Sequence, residues 1–301
     1  MQAVGIDLGG TKIEAQVFSE DWSVIDRRRV ATPQTYPDLL NAVRDIIDWA
    51  VSLAGRDMAV GISAAGLLNP AEGTVLAANL AASGHPFPID LNRQIGREVT
   101  YVNDSRALAL SEAVFGAGRR YGKVLGVVLG TGVSGGLVID GQLQVGPTNT
   151  AGEFGHIAAP AHLVQEFGLP IIDCQCGRRG CIETLISGAG MSRIAAHVAG
   201  MKVTPPELVN ARNTDPMAQR SWDIWCALIG DLLRALTVIT DPDCIVLGGG
   251  LSQIAGVGDD VYLAAKAAQF ADFDIPPILI AEAGDASGAK GAAYAAIQAL
   301  A

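Results

Sequence analysis

A chain of 301 residues exceeds what one hydrophobic core usually serves, so two domains of roughly 100 to 200 residues each are expected. Its 31 acidic residues outnumber 21 basic ones, for a net charge of −10, which argues against a nucleic-acid partner gripped through clustered Lys and Arg. Apolar residues make up 50%, but glycines, Thr131 and Ser134 interrupt runs such as 124–139, so no membrane-spanning helix is expected. No charged stretch leads into an apolar one at the N-terminus, and no signal peptide is expected. With cysteines that look unpaired, a reducing cytoplasm is the predicted location.

Residues 3–8 read as an apolar strand, and Gly9, Gly10, Thr11 and Lys12 turn it into a second strand over 14–19. Two glycines allow positive φ and leave backbone N–H groups free to face a phosphate. Asp7 beside them suits a hydrated Mg2+ bridging phosphate oxygens; an ordinary hairpin turn is the alternative. Residues 37–54 repeat apolar positions at a helical period, 57–63 form a buried strand, and 64–72 form a loop. The polar stretch AASGHPFPID at 81–90 is either a substrate loop or a plain connection. A strand over 98–102 stops at Asn103 and Asp104, and a helix follows from Ser105. Asp104 there reads as an N-cap or as a general base, ionised at neutral pH and placed at the carboxyl end of a strand.

A polar break at 116–122 marks a domain boundary. Strands over 123–129 and 135–139 enclose Gly130, Thr131, Gly132, Val133 and Ser134, a second glycine turn that echoes the first. The two halves look like repeats of one βββαβα pattern, and neither turn is a P-loop. Between Gly152 and Glu183 lie three of the five cysteines, Cys174, Cys176 and Cys181, spaced C-x-C-x4-C around Gly177 and Gly180. With His156 they make a closed thiolate and imidazole set for a structural Zn2+, which brings Glu153 and Glu183 into one neighbourhood. Helices are expected over 191–201, 206–212 and 215–240, the last with Trp222 and Trp225 as core or subunit interface. A strand over 243–247 ends in Gly248, Gly249 and Gly250, where backbone can approach a ligand. A strand over 277–281, a loop over 284–291 and a helix over 292–300 close the chain.

DLGGTK (7–12), Asn103-Asp104, GTGVSGG (130–136), EFGH (153–156), CQCGRRGCIE (174–183) and GGG (248–250) together resemble the ROK family of ATP-dependent sugar kinases over nearly the whole chain. AANLAASGHP (77–86), TAGEFGHIAAP (150–160) and GDASGAKGAA (284–293) are most similar to N-acetyl-D-glucosamine kinases, with fructokinases close behind. The resemblance implies a two-domain α/β fold, actin-like and hexokinase-like, with an interdomain cleft. Its last helix returns to the first domain, giving 1–118 plus 289–301 and 119–288. It implies phosphorylation of N-acetyl-D-glucosamine at the 6-hydroxyl, with fructokinase, glucokinase or N-acetylmannosamine kinase as alternatives and a non-catalytic sugar sensor as another. A sensor of this family carries an N-terminal helix-turn-helix, for which a strand starting at Ala3 leaves no room.

By the same resemblance Asp104 is the base, and Gly66, Asn79, Asn103, Glu153, His156 and Glu183 bind sugar. Gly5, Ile6, Asp7, Leu8, Gly9, Gly10, Thr11 and Lys12, with Gly130 through Gly136 (including Gly135) and Leu137, cradle ATP and its Mg2+, and Gly248 to Gly250 lie near adenosine. No membrane partner is implied, and the Trp-bearing helix suggests a homodimer. One departure is Arg106, where the family has a short amide; it either reaches toward the sugar or faces solvent on the first helical turn.

Overall fold

The computed structural model describes residues 1–282, 284 and 287–300. The chain opens with β1 (Ala3–Leu8), β2 (Lys12–Phe18), β3 (Val24–Ala31), α1 (Tyr36–Ala54) and β4 (Ala59–Ala64). The short pair β5 (Leu67–Leu68) and β6 (Val75–Leu76), α2 (Phe87–Ile95), β7 (Thr100–Asn103) and α3 (Asp104–Val114) follow. Next come β8 (Lys123–Leu129), β9 (Val133–Ile139), β10 (Gln142–Leu143), α4 (Ala161–Glu166), α5 (Glu183–Ile186), α6 (Gly188–Ala199) and α7 (Pro205–Ala211). The long α8 (Pro216–Thr240), β11 (Cys244–Gly248), α9 (Val257–Ala268), β12 (Ile278–Ile280) and α10 (Ser287–Gln298) complete it.

One sheet has the order β3-β2-β1-β4-β7 and the other β10-β9-β8-β11-β12. In the first, β2 pairs antiparallel with β1 and β3, while β4 pairs parallel with β1 and β7. In the second, β9 and β10 are antiparallel, and β8, β11 and β12 run parallel. The shared order is the repeat that the two glycine turns announce. Central strands β1 and β4 are buried on both faces and therefore read as continuous apolar runs. Edge strand β3, VIDRRRVA, is almost wholly exposed and carries no apolar face, so charge hides it in the sequence while protecting the edge.

The chain divides into two compact units. The first holds Met1–Arg119, Gly136–Gly152 and Glu282–Ala301, and the second Arg120–Gly135 and Glu153–Ala281. The strand β9 thus starts in the second unit and passes at Gly136 into the first, a path no sequence signal marks.

Helix α10 sits directly on backbone in the first unit. A Cβ at Gly5 would stand 1.7 Å from the Ala289 carbonyl oxygen, and one at Gly61 1.9 Å from that of Ala292. Only glycine admits so close a helix. The expected loop over 284–291 is corrected here, because α10 begins at Ser287; residues 285 and 286 of that stretch lie outside the described residues. The glycines at 288 and 291 that looked like loop punctuation are close-approach points; a Cβ at Gly291 would stand 1.9 Å from the Ala107 carbonyl oxygen. Likewise the stretch 81–90 is not all loop: α2 starts at Phe87, whose ring is fully buried.

In the second unit Trp222 and Trp225 of α8 are 1% and 0% exposed, which makes them core and not subunit interface. Each indole N–H is satisfied, by Asp260 Oδ2 at 3.0 Å and by the Ile186 carbonyl at 2.9 Å, as buried indoles require. Among the described residues no helix is long and apolar enough to cross a membrane.

Candidate active site

In the first unit the parallel register aligns Asp7 with Ser63 and Ala64 with Asn103. The carboxyl ends of β1, β4 and β7 therefore deliver Asp7, Ser63, Asn103 and Asp104 to one edge, where open α/β sheets bind ligands. Asn103, not Asp104, is the N-cap of α3: its Oδ1 accepts from the N–H groups of Ser105 (3.1 Å) and Arg106 (3.3 Å). Its Nδ2 donates to the Gly66 carbonyl at 3.0 Å. That corrects the capping reading of Asp104, which sits at the first helical position with Oδ1 accepting from Ser105 N–H at 2.8 Å.

Burial pushes the Asp104 carboxyl above its ordinary range, against the pull of the Ser105 hydrogen bonds. Asp7 is pushed up to about 6, first by burial and then by the charge of Asp104; Ser63, donating to Asp7 Oδ1 at 3.3 Å, opposes this. Two nearby carboxylates resist ionising together, so the pair suits a site that receives a metal or a proton. A fifth contributor, invisible in the sequence, is Gly288 on α10: a Cβ there would lie 2.8 Å from Asp7 Oδ1 and 3.0 Å from Ser63 Oγ.

The raised Asp7 pKa has two consequences of opposite sign. The folded protein holds a proton that the unfolded chain releases, so stability falls as pH rises from about 4 to about 6, by about 3 kcal/mol, and is flat above that window. Activity that needs the ionised form rises through the same window. Asp7→Asn is therefore expected to raise the melting temperature of the nucleotide-free protein at pH 7.5 but not at pH 4.5, while removing Mg2+-dependent activity. Paired thermal melts and a pH–rate profile check this; a variant that melts below wild type at pH 7.5 would refute it.

Around the first turn, Gly9 N–H bonds the Lys12 carbonyl at 3.0 Å, and Thr32 Oγ1 donates to the Gly9 carbonyl at 2.6 Å. Neither Gly9 nor Gly10 has positive φ, which corrects the reason given for them. Gly10 is needed because the Asn79 carbonyl oxygen would stand 2.9 Å from its Cβ, and this contact brings the turn to Asn79. Lys12 Nζ lies 3.9 Å from Glu14, which Arg29 also grips. Thr11 is exposed at the tip. Of the residues expected to cradle ATP, Gly5, Ile6 and Leu8 are buried in the strand; Gly5 admits α10, while Ile6 and Leu8 pack in the core with Leu39, Val43 and Ile46 of α1. Gly66, with φ 96 and the Leu76 carbonyl 2.2 Å from any Cβ, is fixed by a turn. Arg106 neither faces solvent nor points outward: it is 2% exposed.

In the second unit Glu183 starts α5 and anchors the second glycine turn. Its Oε2 accepts from Val133 N–H at 2.8 Å, and a Cβ on Gly132 would meet that oxygen at 2.9 Å. Gly130 accepts from Gly188 N–H at 2.9 Å, and Thr131 is exposed. Gly135, whose Cβ would be 1.9 Å from the Gly126 carbonyl, is a packing residue; so is Gly136, against Ala109 and Arg106 in the first unit. Ser134 and Leu137 are half-buried along β9. Gly248 is buried at the end of β11 and Gly249, with φ 84, abuts the Leu129 backbone. Gly250 alone of the three lines a cavity of about 260 Å³, together with Pro205, Pro206, Val209, Asn210 and Leu251. All of those partners but Leu251 come from α7, and they carry no motif.

The four metal-ligand candidates converge. Their ligating atoms lie within 4.8 Å of one another, with Cys176 Sγ to Cys181 Sγ and Cys174 Sγ to His156 Nδ1 both at 3.6 Å. Tetrahedral Zn2+ with bonds of about 2.3 Å needs sulfurs about 3.7 Å apart, so the set fits. Gly177 and Gly180, with φ 84 and 80, supply the left-handed bends that fold the loop back. Nδ1 of His156 faces the cluster while Nε2 stands 3.8 Å from Glu153 Oε2, so one ring nitrogen serves metal and the other points at an acidic neighbour.

A family model described as "ROK family" matches residues 3–299. The chain belongs to the ROK family. Among ROK relatives, an N-acetylgalactosamine kinase AgaK of Shewanella sp. (strain ANA-3) is 39% identical over 292 residues, 96% of this chain and 94% of that one. An N-acetyl-D-glucosamine kinase of Yersinia pseudotuberculosis serotype O:1b (strain IP 31758) is 38% identical over 299 residues, 96% and 97% of the two chains. The solved ROK glucokinase of Streptomyces griseus, in complex with glucose and AMPPNP, superposes with TM-score 0.75 at 30% identity, covering 99% of this chain and 100% of that one. The fold is the actin-like ROK sugar-kinase fold.

Proposed function

We propose that this protein transfers the γ-phosphoryl group of ATP to the 6-hydroxyl of N-acetyl-D-glucosamine, giving N-acetylglucosamine 6-phosphate and ADP. The observation that carries the reading is Asp104: a half-buried carboxyl with a raised pKa, held by Ser105 N–H at the end of β7 and near a second half-buried carboxylate, Asp7. Asp104 accepts the proton from the 6-hydroxyl as its oxygen bonds to the γ-phosphorus and the bond to the ADP oxygen breaks. Gly66, Asn79, Asn103, Glu153, His156 and Glu183 bind acceptor hydroxyls.

Gly9, Gly10, Thr11 and Lys12, and Gly130 through Ser134, face phosphates with backbone N–H groups and the lysine charge. The cavity beside Gly250 takes the adenine ring, whose flat apolar faces match Pro205, Pro206 and Leu251. Asp7 holds Mg2+ through water, and that ion supplies charge neutralisation on the phosphate oxygens. Cys174, Cys176, Cys181 and His156 hold Zn2+, which supplies rigidity to the acceptor-binding loop. Free cysteines support a cytoplasmic location. The exposed Val238 and Ile239 at the end of α8, not the buried tryptophans, support a homodimer.

A second acceptor, N-acetyl-D-galactosamine, has a specific observation behind it, since the relative at 39% identity bears that name; the two sugars differ only at the C4 hydroxyl. A coupled ADP-release assay with N-acetylglucosamine, N-acetylgalactosamine, N-acetylmannosamine, glucose and fructose decides the matter. N-acetylglucosamine is expected to give the highest kcat/KM. No turnover above background with it would sink the first choice, and none with any sugar would leave the sensor.

A further inference from the structure

Arg106 is buried to 2% exposure in the first turn of α3, an unusual place for a guanidinium. Its Nε donates to the Ala151 carbonyl at 2.9 Å, Nη1 to Asn149 Oδ1 at 2.5 Å and Nη2 to the Asn149 carbonyl at 2.8 Å. Asn149 in turn donates through Nδ2 to the Leu68 carbonyl at 2.7 Å, while Asn103 holds the Gly66 carbonyl. One network thus joins the helix that begins with Asp104, the β5 segment after Gly66, and residues 149–151, which lead in sequence to Glu153. We propose that Arg106 and Asn149 are positioning residues that hold these acceptor-binding segments in register. The proposal rests on the kinase reading above.

The physical case is that, among the described residues, the 149–151 segment has few other holds, the Thr148–Thr150 hydroxyl hydrogen bond at 2.8 Å being one. Residues 144–148 are exposed and without regular structure after β10. Arg106, Asn103 and Asn149 border a cavity of about 210 Å³, shared with Tyr101, Leu143 and Val145, where a packed core would otherwise lock the backbone. Asn149 is itself left-handed, φ 55, a conformation that asparagine tolerates and that needs support. A planar guanidinium can grip a side-chain amide and two carbonyls at fixed angles, which a flexible ammonium cannot. Loosening the segment adds an ordering cost to acceptor binding and leaves the nucleotide's contacts alone.

The test is a split between substrates. Arg106→Met keeps the stem but removes the donors; the acceptor KM is expected to rise about tenfold, with kcat and the ATP KM within about twofold of wild type. Amides of residues 149–153 should exchange deuterium faster in the same variant. Arg106→Lys, which keeps charge without the fork, should recover part of the acceptor KM. Asn149→Gly, which tolerates the left-handed backbone and removes both side-chain bonds, should reproduce the split and carries the test if Arg106→Met does not fold. An unchanged acceptor KM with only a lower melting temperature, or equal losses for both substrates, would overturn the proposal. If wild type phosphorylates no sugar, the kinase reading fails separately. The exchange measurement then decides: unchanged exchange at 149–153 overturns the clamp, and faster exchange upholds it.

Discussion

Asp104→Asn lowers kcat by a factor of about 100 to 10,000, the usual contribution of a positioned general base, and leaves acceptor binding nearly intact. The substitution is isosteric. Its remaining oxygen can still accept from Ser105 N–H, as Asp104 Oδ1 does at 2.8 Å, so α3 keeps its first turn and the Asn103 cap is untouched. What is lost is the ability to take a proton. A second readout separates this from local damage: the charge of Asp104 is the second cause of the raised Asp7 pKa, so the variant should let Asp7 ionise at lower pH and should melt no lower than wild type at neutral pH. Rates from the coupled assay and sugar affinity from titration calorimetry check both halves. Turnover at the wild-type rate would show that another group is the base.

The next largest effect is expected from the metal loop. Cys176→Ala, or chelation of the metal, should weaken acceptor binding by about tenfold or more and lower the melting temperature, because a structural Zn2+ contributes directly to the folding of the segment it ties. Cys176, Gly177, Arg178 and Arg179 are exposed, and apart from the metal the loop is held by hydrogen bonds such as Cys174 N–H to the Arg178 carbonyl at 2.8 Å, Gly177 N–H to the Cys174 carbonyl at 3.0 Å and Gly180 N–H to the Ile172 carbonyl at 2.8 Å. The consequence for the acceptor travels through His156, which shares its ring between Cys174 and the neighbourhood of Glu153. Metal content by plasma spectrometry, melts and calorimetry with the acceptor sugar measure the three effects. Zinc-free protein with unchanged sugar affinity would break the link between metal and acceptor.

The contrast between Asp104 and Arg106 shows where sequence reasoning reaches and where it stops. Asp104 follows an apolar strand and precedes a helix, so its place at a strand end is readable from periodicity, and the capping alternative is decided only by which neighbouring oxygen meets the Ser105 and Arg106 N–H groups. Arg106 offers no such cue, because whether a long cation reaches outward or folds inward depends on carbonyls more than forty positions away. The same holds for Gly288, read as loop punctuation until α10 sets it against Asp7.

By itself the sequence determined the repeated strand pattern, the two glycine turns, the Asp104 junction and the ligand chemistry of Cys174, Cys176, Cys181 and His156, since each is local: a period, a turn residue or a spacing of a few positions. Only the tertiary structure decided that Gly5, Ile6 and Leu8 are core and that Gly250 is the one glycine of its trio lining a cavity. It also decided that β3 completes a sheet and that a buried guanidinium clamps the segment ahead of Glu153. Burial and long-range hydrogen bonds are properties of pairs of residues far apart in the chain, and no single stretch of sequence carries them.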